Sequence, residues 1–165
     1  MKIVIAGSGE VGSHLAKLLS KEDHDIIVID RDRRRLLALD SYNLITHMGK
    51  PTSFQAMKYV GMRDCDLFIA VTPYETENVV ACSIAKSLGA RKTVARIDNY
   101  EFYNPENREY FEKAGVDDLI YPENLAAEEM LLALKHTWVR NWFELFNGEL
   151  IVVGVKLRGN SDLVN

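Results

Sequence analysis

Cysteine is scarce in this sequence: Cys65 and Cys82 are the only two, and they form no C-x-x-C pair. That excludes a disulfide framework or a zinc site of the usual thiolate spacing, and it fits a reducing compartment. Basic charge is not in excess either, since 24 Asp and Glu against 20 Lys and Arg leave a net charge of −4. No field therefore draws the chain to nucleic acid or to anionic lipid. The local run Arg31, Arg33, Arg34, Arg35 is broken by Asp32 and follows Asp30, as a solvated helix start does. No apolar run approaches the roughly 20 residues that span a bilayer. No basic-then-apolar leader opens the chain, which enters a strand at once. The expectation is a soluble, cytoplasmic protein that meets a membrane only through a partner.

Reactive constellations are missing too. His14, His24, His47 and His136 are scattered, with no serine, cysteine or metal-ligand partner at motif spacing. There is no Tyr-x-x-x-Lys pair and no P-loop Lys-Ser/Thr, so neither carbonyl reduction nor phosphoryl transfer has support. No catalytic residue and no metal site is assigned. What is present is ordinary for a globular protein: 165 residues, 47% hydrophobic and 27% charged, enough for one domain and a small appendage.

The distinctive stretch is Ala6-Gly7-Ser8-Gly9-Glu10-Val11-Gly12. The apolar run Lys2–Ala6 ahead of it reads as a buried strand. Val11, Leu15, Leu18 and Leu19 behind it mark one face of a helix. A strand thus runs through a G-x-G-x-x-G turn into a helix. Gly7 permits the tight turn, Gly9 lets a pyrophosphate approach the backbone, and Gly12 lets helix and strand pack closely. The helix start offers free N–H groups and a positive dipole end to an anion. A second strand, Asp25–Ile29, ends at Asp30, which lies near the spacing of a carboxylate that accepts from a ribose 2′-OH. That carboxylate repels a 2′-phosphate and favours NAD(H) over NADP(H).

The alternation continues downstream. Helix Arg33–Asp40, strand Leu44–Met48, a helix opened by Pro51 and Thr52 and closed by Gly61, and strand Asp66–Val71 follow in turn. A helix from Thr76 or Glu77 to Gly89 then leads to strand Thr93–Ile97. A polar segment, 98–107, precedes helix Glu109–Lys113 and strand Asp118–Tyr121. This pattern predicts an α/β, doubly wound parallel sheet with ligands at the C-terminal strand ends. Those ends carry Gly7, Asp30, Gly49-Lys50, Thr72-Pro73 and Arg96. Beyond Pro122, a helix over 123–137 has a wide apolar face, that of a helix buried in one domain or crossing to a second subunit. Asn147-Gly148 between apolar runs signals an antiparallel hairpin. The expected division is a nucleotide-binding unit over 1–140 and, over 141–165, the opening of a truncated C-terminal lobe.

Several segments in order resemble the KTN (RCK N-lobe) family of nucleotide-binding domains that regulate potassium channels and transporters. They are Gly7-x-Gly9-x-x-Gly12, Val28-Ile29-Asp30, Ala70-Val71-Thr72, Glu77-Asn78, Ala95-Arg96 and Tyr121-Pro122-Glu123. Within that family the chain is most similar to its TrkA branch, and Ser161-Asp162-Leu163 resembles a later element of that branch's C-terminal lobe. The resemblance implies a Rossmann-like fold, with 123–137 as the crossover helix that pairs two N-lobes. It also implies a homodimer assembling into a tetramer or higher ring, and a place at the inner face of the cell membrane beneath an integral-membrane potassium-translocating subunit. Bound NAD(H), or alternatively ATP or ADP, would gate potassium uptake.

Carried over by position, Gly7, Ser8, Gly9 and Gly12 would cradle phosphates, with Glu10 and Val11 in the same loop. Asp30 would hold the adenosine ribose and Arg31 flank the adenine, while Thr72 and Arg96 border the distal end. Glu123 matches a position that meets a metal ion in some relatives, although a glutamate at a helix start is commonly just a dipole partner. Two residues depart from the family pattern: Lys50 stands where relatives usually have Asp, and Glu10 where many have Arg. The reading from another functional class is the cofactor-binding domain of a small NAD-dependent oxidoreductase. An interaction module with a vestigial site is the third.

Overall fold

The β-branched runs become six parallel strands: β1 Lys2–Ala6, β2 Asp25–Asp30, β3 Ile45–Met48, β4 Leu67–Ala70, β5 Lys92–Arg96 and β6 Asp118–Ile120. They lie in the order β3-β2-β1-β4-β5-β6. This computed structural model describes residues 1–135, 141–145 and 149–154. Central β1 pairs Ala6 with Ile29 on one side and with Ala70 on the other. The strand order reverses there, so the loops after β1 and β4 part to opposite faces and leave a crevice.

Period-two alternation divides the core. Val4, Ala6, Ile27, Ile29 and Phe68 face one layer, packed with Met57, Ala81, Cys82 and Phe111. Ile3, Ile5, Ile26, Val28 and Ile69 face the other, with Ala16, Leu36 and Leu39. The first layer belongs to α3 (Phe54–Tyr59), α4 (Glu75–Ser87) and α6 (Arg108–Lys113), and the second to α1 (Glu10–Leu19) and α2 (Arg33–Leu37). Helices on both faces explain why the strands are apolar throughout. Both cysteines are buried and free, and burial pushes each thiol's pKa up, so they act as small hydrophobes.

Some local expectations change. On α1, Val11 and Leu18 are exposed, whereas Ala16 is buried and Leu15 and Leu19 pack against the core. Gly12 is the reason: a Cβ there would stand 1.9 Å from the Gly7 carbonyl oxygen. So close an approach turns the Gly12–Ala16 edge of the helix onto the sheet. Helix α3 starts after Ser53, whose hydroxyl accepts from the Ala56 N–H, rather than at Pro51. The segment 98–107 holds α5 (Tyr100–Tyr103) and a 3-10 turn at Pro105–Asn107, because the Asn99 and Asn104 side chains accept from the Glu101 and Glu106 N–H groups.

The chain divides into Met1–Pro122 and Glu123–Asn165. This falls ahead of the boundary near residue 140 that the change from parallel to antiparallel strands suggests. Helix α7, Pro122–Lys135, exposes Leu125, Met130, Leu131 and Leu134. In the second unit, β7 (Asn141–Leu145) and β8 (Leu150–Gly154) pair antiparallel, with Phe143 opposite Val152. The Asn147-Gly148 turn, His136 and Ser161–Leu163 lie outside the described residues.

Candidate functional site

The glycine-rich loop is fastened from both sides. Gly7 adopts φ +103°, and a Cβ on it would meet the Thr72 amide nitrogen at 3.0 Å and the Val71 carbonyl at 3.1 Å. Only glycine combines that backbone with so close a passage between β1 and β4. The Gly7 N–H donates to the Ile29 carbonyl at 2.9 Å. Ser8 is buried and turned toward β2: its N–H and its hydroxyl donate to Asp30 Oδ2 at 2.6 and 2.8 Å. The Ser13 hydroxyl donates back to the Ser8 carbonyl at 2.8 Å. Gly9 caps α1 without a side chain and faces the cleft, where a Cβ on it would touch only the Arg35 guanidinium, at 3.9 Å, apart from its chain neighbours.

Asp30 is only 7% exposed. It accepts the two Ser8 bonds on Oδ2 and the Asp32 N–H on Oδ1 at 2.8 Å. Burial raises its pKa, but those three donors and the positive charge of Arg35 outweigh it, and the carboxyl stays below its ordinary value. A carboxylate has about four acceptor sites. Three are used here, and one remains.

That cleft, about 210 Å³, is lined by Gly7, Gly9, Asp30, Thr72 and Pro73 together with Arg31 and Asp32 from the turn after β2, Arg35 of α2 and Glu77 of α4. Arg31 crosses it: one guanidinium nitrogen donates to both carboxylate oxygens of Glu77 on α4. Thr72 is held by Asn78, whose Oδ1 accepts from the Thr72 N–H at 2.9 Å and from its hydroxyl at 2.7 Å. The Asn78 Nδ2 donates to the Thr72 carbonyl at 3.0 Å and to the Arg96 carbonyl at 2.8 Å. One fully satisfied asparagine, 1% exposed, thus fixes the ends of β4 and β5 against α4.

Gly7, Gly9, Asp30, Arg31 and Thr72 of the expected residues meet in this cleft. Ser8 and Gly12 build its loop from behind, while Glu10 and Val11 are exposed on the first turn of α1. Lys50 lines a separate depression with His47, Ser53 and Tyr59. Arg96 ends β5 and contributes its carbonyl to Asn78. Sequence reasoning missed Asp32, Arg35, Pro51, Tyr74 and Glu77 as lining residues. For Arg35 a signal existed in the arginine run after Asp30, which reads equally well as a solvated helix start. A roomier cleft of about 350 Å³ lies at the β6 edge around Phe102, Phe111 and Leu119, away from the strand-order reversal. Among the described residues no group of His, Cys, Asp or Glu is placed to hold a metal ion, and no helix is long and apolar enough to cross a membrane.

Residues 3–122, nearly the whole first unit, match the TrkA-N domain family. The Trk system potassium uptake protein TrkA of Haemophilus influenzae is 33% identical over 94% of this chain and 35% of its own length. A TrkA homolog of Archaeoglobus fulgidus is 34% identical over 78% of this chain and 29% of its own. The chain therefore spans about a third of these relatives. Among solved structures, the TrkA-N domain of the inner membrane protein YbaL of Escherichia coli superposes with TM-score 0.70 at 21% identity, covering 81% of this chain and 96% of that one. The GsuK channel bound to NAD superposes with TM-score 0.67 at 17% identity, over 88% of this chain and 25% of that one. GsuK has also been solved bound to ADP, again at TM-score 0.67 and 17% identity, over 82% of this chain and 35% of that one. At such identities these structures speak for the fold.

Proposed function

Since the chain belongs to the TrkA-N domain family, we propose that it is a nucleotide-binding regulatory part of a Trk-type potassium-uptake system. The ligand we favour is NAD(H), with ADP or ATP as the rival. The observation that carries this reading is the loop at Gly7–Gly12, pinned by Ser8 to an anionic Asp30 and lining the cleft at Gly7 and Gly9. A phosphate fits the open face over the α1 N-terminus. A ribose hydroxyl fits the acceptor site left on Asp30. GsuK, with the same fold, was solved with each of the two ligand types, so both belong in the test.

The mechanism is biased equilibrium rather than chemistry. A ligand that binds one conformation better shifts the population toward it by its differential affinity. The partner in this reading is an integral-membrane potassium-translocating subunit, approached from the cytoplasmic side. The exposed Leu125, Met130, Leu131 and Leu134 of α7 give the surface for self-association into a dimer and then a ring. Calorimetric titration with NADH and ADP, beside NADH oxidation assays over a panel of carbonyl compounds, tests the reading. Binding without turnover is expected. Turnover above a protein-free control contradicts it and supports the oxidoreductase alternative.

A further inference from the structure

The cleft is short of positive charge for the ligand it is shaped to take. Its lining holds three carboxylates, Asp30, Asp32 and Glu77, against two guanidinium groups, Arg31 and Arg35. The glycine-rich loop adds no cation, and its one ionised residue, Glu10, is acidic. A diphosphate brings at least two further negative charges, more than a helix dipole of about half a charge offsets. A cation facing the loop is needed, and the structure offers one.

Arg31 is committed to Glu77 through both carboxylate oxygens. Lys50 and the Arg96 side chain are not among the residues that line the cleft. Arg35 is differently placed. It rises from α2 beside the loop, and one terminal nitrogen lies 3.9 Å from where a Cβ on Gly9 would stand, the nearest atom there from outside the loop's own neighbouring residues. Its Nε faces Asp32 at 3.6 Å, a loose ion pair with both side chains about half exposed. Arg35 is thus oriented by Asp32 at one edge and turned toward Gly9 at the other. Its charge also reaches Asp30, where it helps to hold the carboxyl ionised.

We propose that Arg35 is the phosphate-binding cation of this cleft and gives it a preference for nucleotides carrying a diphosphate, such as ADP or NAD(H), over the bare nucleoside. The proposal rests on the nucleotide-binding reading above. The guanidinium would lie on one side of the diphosphate and the N–H groups of the α1 start on the other. A forked donor matches phosphate oxygens in a way that a point charge does not.

The test is titration of the 165-residue chain and its Arg35→Gln and Arg35→Lys variants with ADP, NADH and adenosine. Arg35→Gln weakens ADP and NADH by about tenfold or more, the range of a charge-assisted hydrogen bond. Adenosine affinity stays within about twofold of wild type, and Arg35→Lys falls between the two for ADP. The salt dependence of ADP binding becomes shallower in Arg35→Gln. The half-exposed side chain leaves the core intact, so all three proteins keep a single cooperative unfolding transition. If wild type binds ADP and Arg35→Gln binds it equally well, the Arg35 assignment is overturned and the nucleotide reading stands. If wild type binds neither ADP nor NADH, the nucleotide reading itself fails and this assignment goes with it.

Discussion

Asn78 shows how much one buried side chain can organise. Its four hydrogen bonds tie α4 to the ends of β4 and β5, and none of its polar atoms is left over. Asn78→Asp keeps the shape but turns a carboxylate oxygen toward the Thr72 and Arg96 carbonyls. We expect a loss of about 3 kcal/mol or more at neutral pH in denaturant unfolding. The gap to wild type narrows as pH falls from about 6 toward 4, because the protonated acid donates again. A gap independent of pH contradicts this account of Asn78.

Acid has a second residue-level effect on the wild-type chain. Burial raises the pKa of both Asp30 and Asp117, but both end below their ordinary values: Asp30 through Ser8, Asp32 and Arg35, Asp117 through Lys86 and Thr93. A carboxylate with a depressed folded pKa stabilises the fold above its unfolded pKa and loses that contribution as pH falls through the folded one. The melting temperature should therefore drop once pH falls below about 4. Asp117→Asn should flatten that drop while lowering stability at neutral pH.

At the scale of elements, the β1–loop–α1 unit separates two roles of glycine. A Cβ on Gly12 would overlap the Gly7 carbonyl oxygen, so Gly12→Ala should cost about 3 kcal/mol or more. Gly9 has ordinary extended backbone, and a Cβ there would meet only the half-exposed Arg35 side chain at an ordinary 3.9 Å, so Gly9→Ala should leave the melting temperature nearly unchanged. It places a methyl group where a phosphate would approach, and nucleotide affinity should fall. Thermal melts and ADP titrations of the two variants check both halves.

The same unit shows what sequence makes legible. The strand, the turn and Asp30 could be read because their determinants are local: β-branched runs, glycine spacing and an acidic strand end. The contacts that close the cleft are not local. Arg31 and Glu77 are 46 residues apart, and only the strand order brings β2 and α4 together. The Glu77-Asn78 pair was legible as a family signature. Its physical meaning, one residue clasping Arg31 and the next pinning two strand ends, exists only in the folded chain. Arg35 read as part of a solvated helix start for the same reason, and Val11 and Leu18 read with Leu15 and Leu19 as the apolar face of α1 because spacing alone does not show how Gly12 turns the helix.

For the whole molecule, the parallel α/β organisation followed from the alternation of strands and helices, while the division at Pro122 did not. A polarity pattern does not say which unit a helix joins. The proposed function requires the cleft at the β1–β4 crevice to bind a nucleotide. The most direct test is thermal unfolding of the chain alone and with NADH, NAD, ADP or ATP. A ligand at 100 times its dissociation constant stabilises by roughly 2.7 kcal/mol, which is about 5–10 °C for a chain of this size. A rise with NADH, reduced in Gly9→Ala, is the predicted result, and a rise with ADP or ATP alone moves the site to adenine nucleotides. No shift with any of the four, at concentrations up to several millimolar, contradicts the central claim.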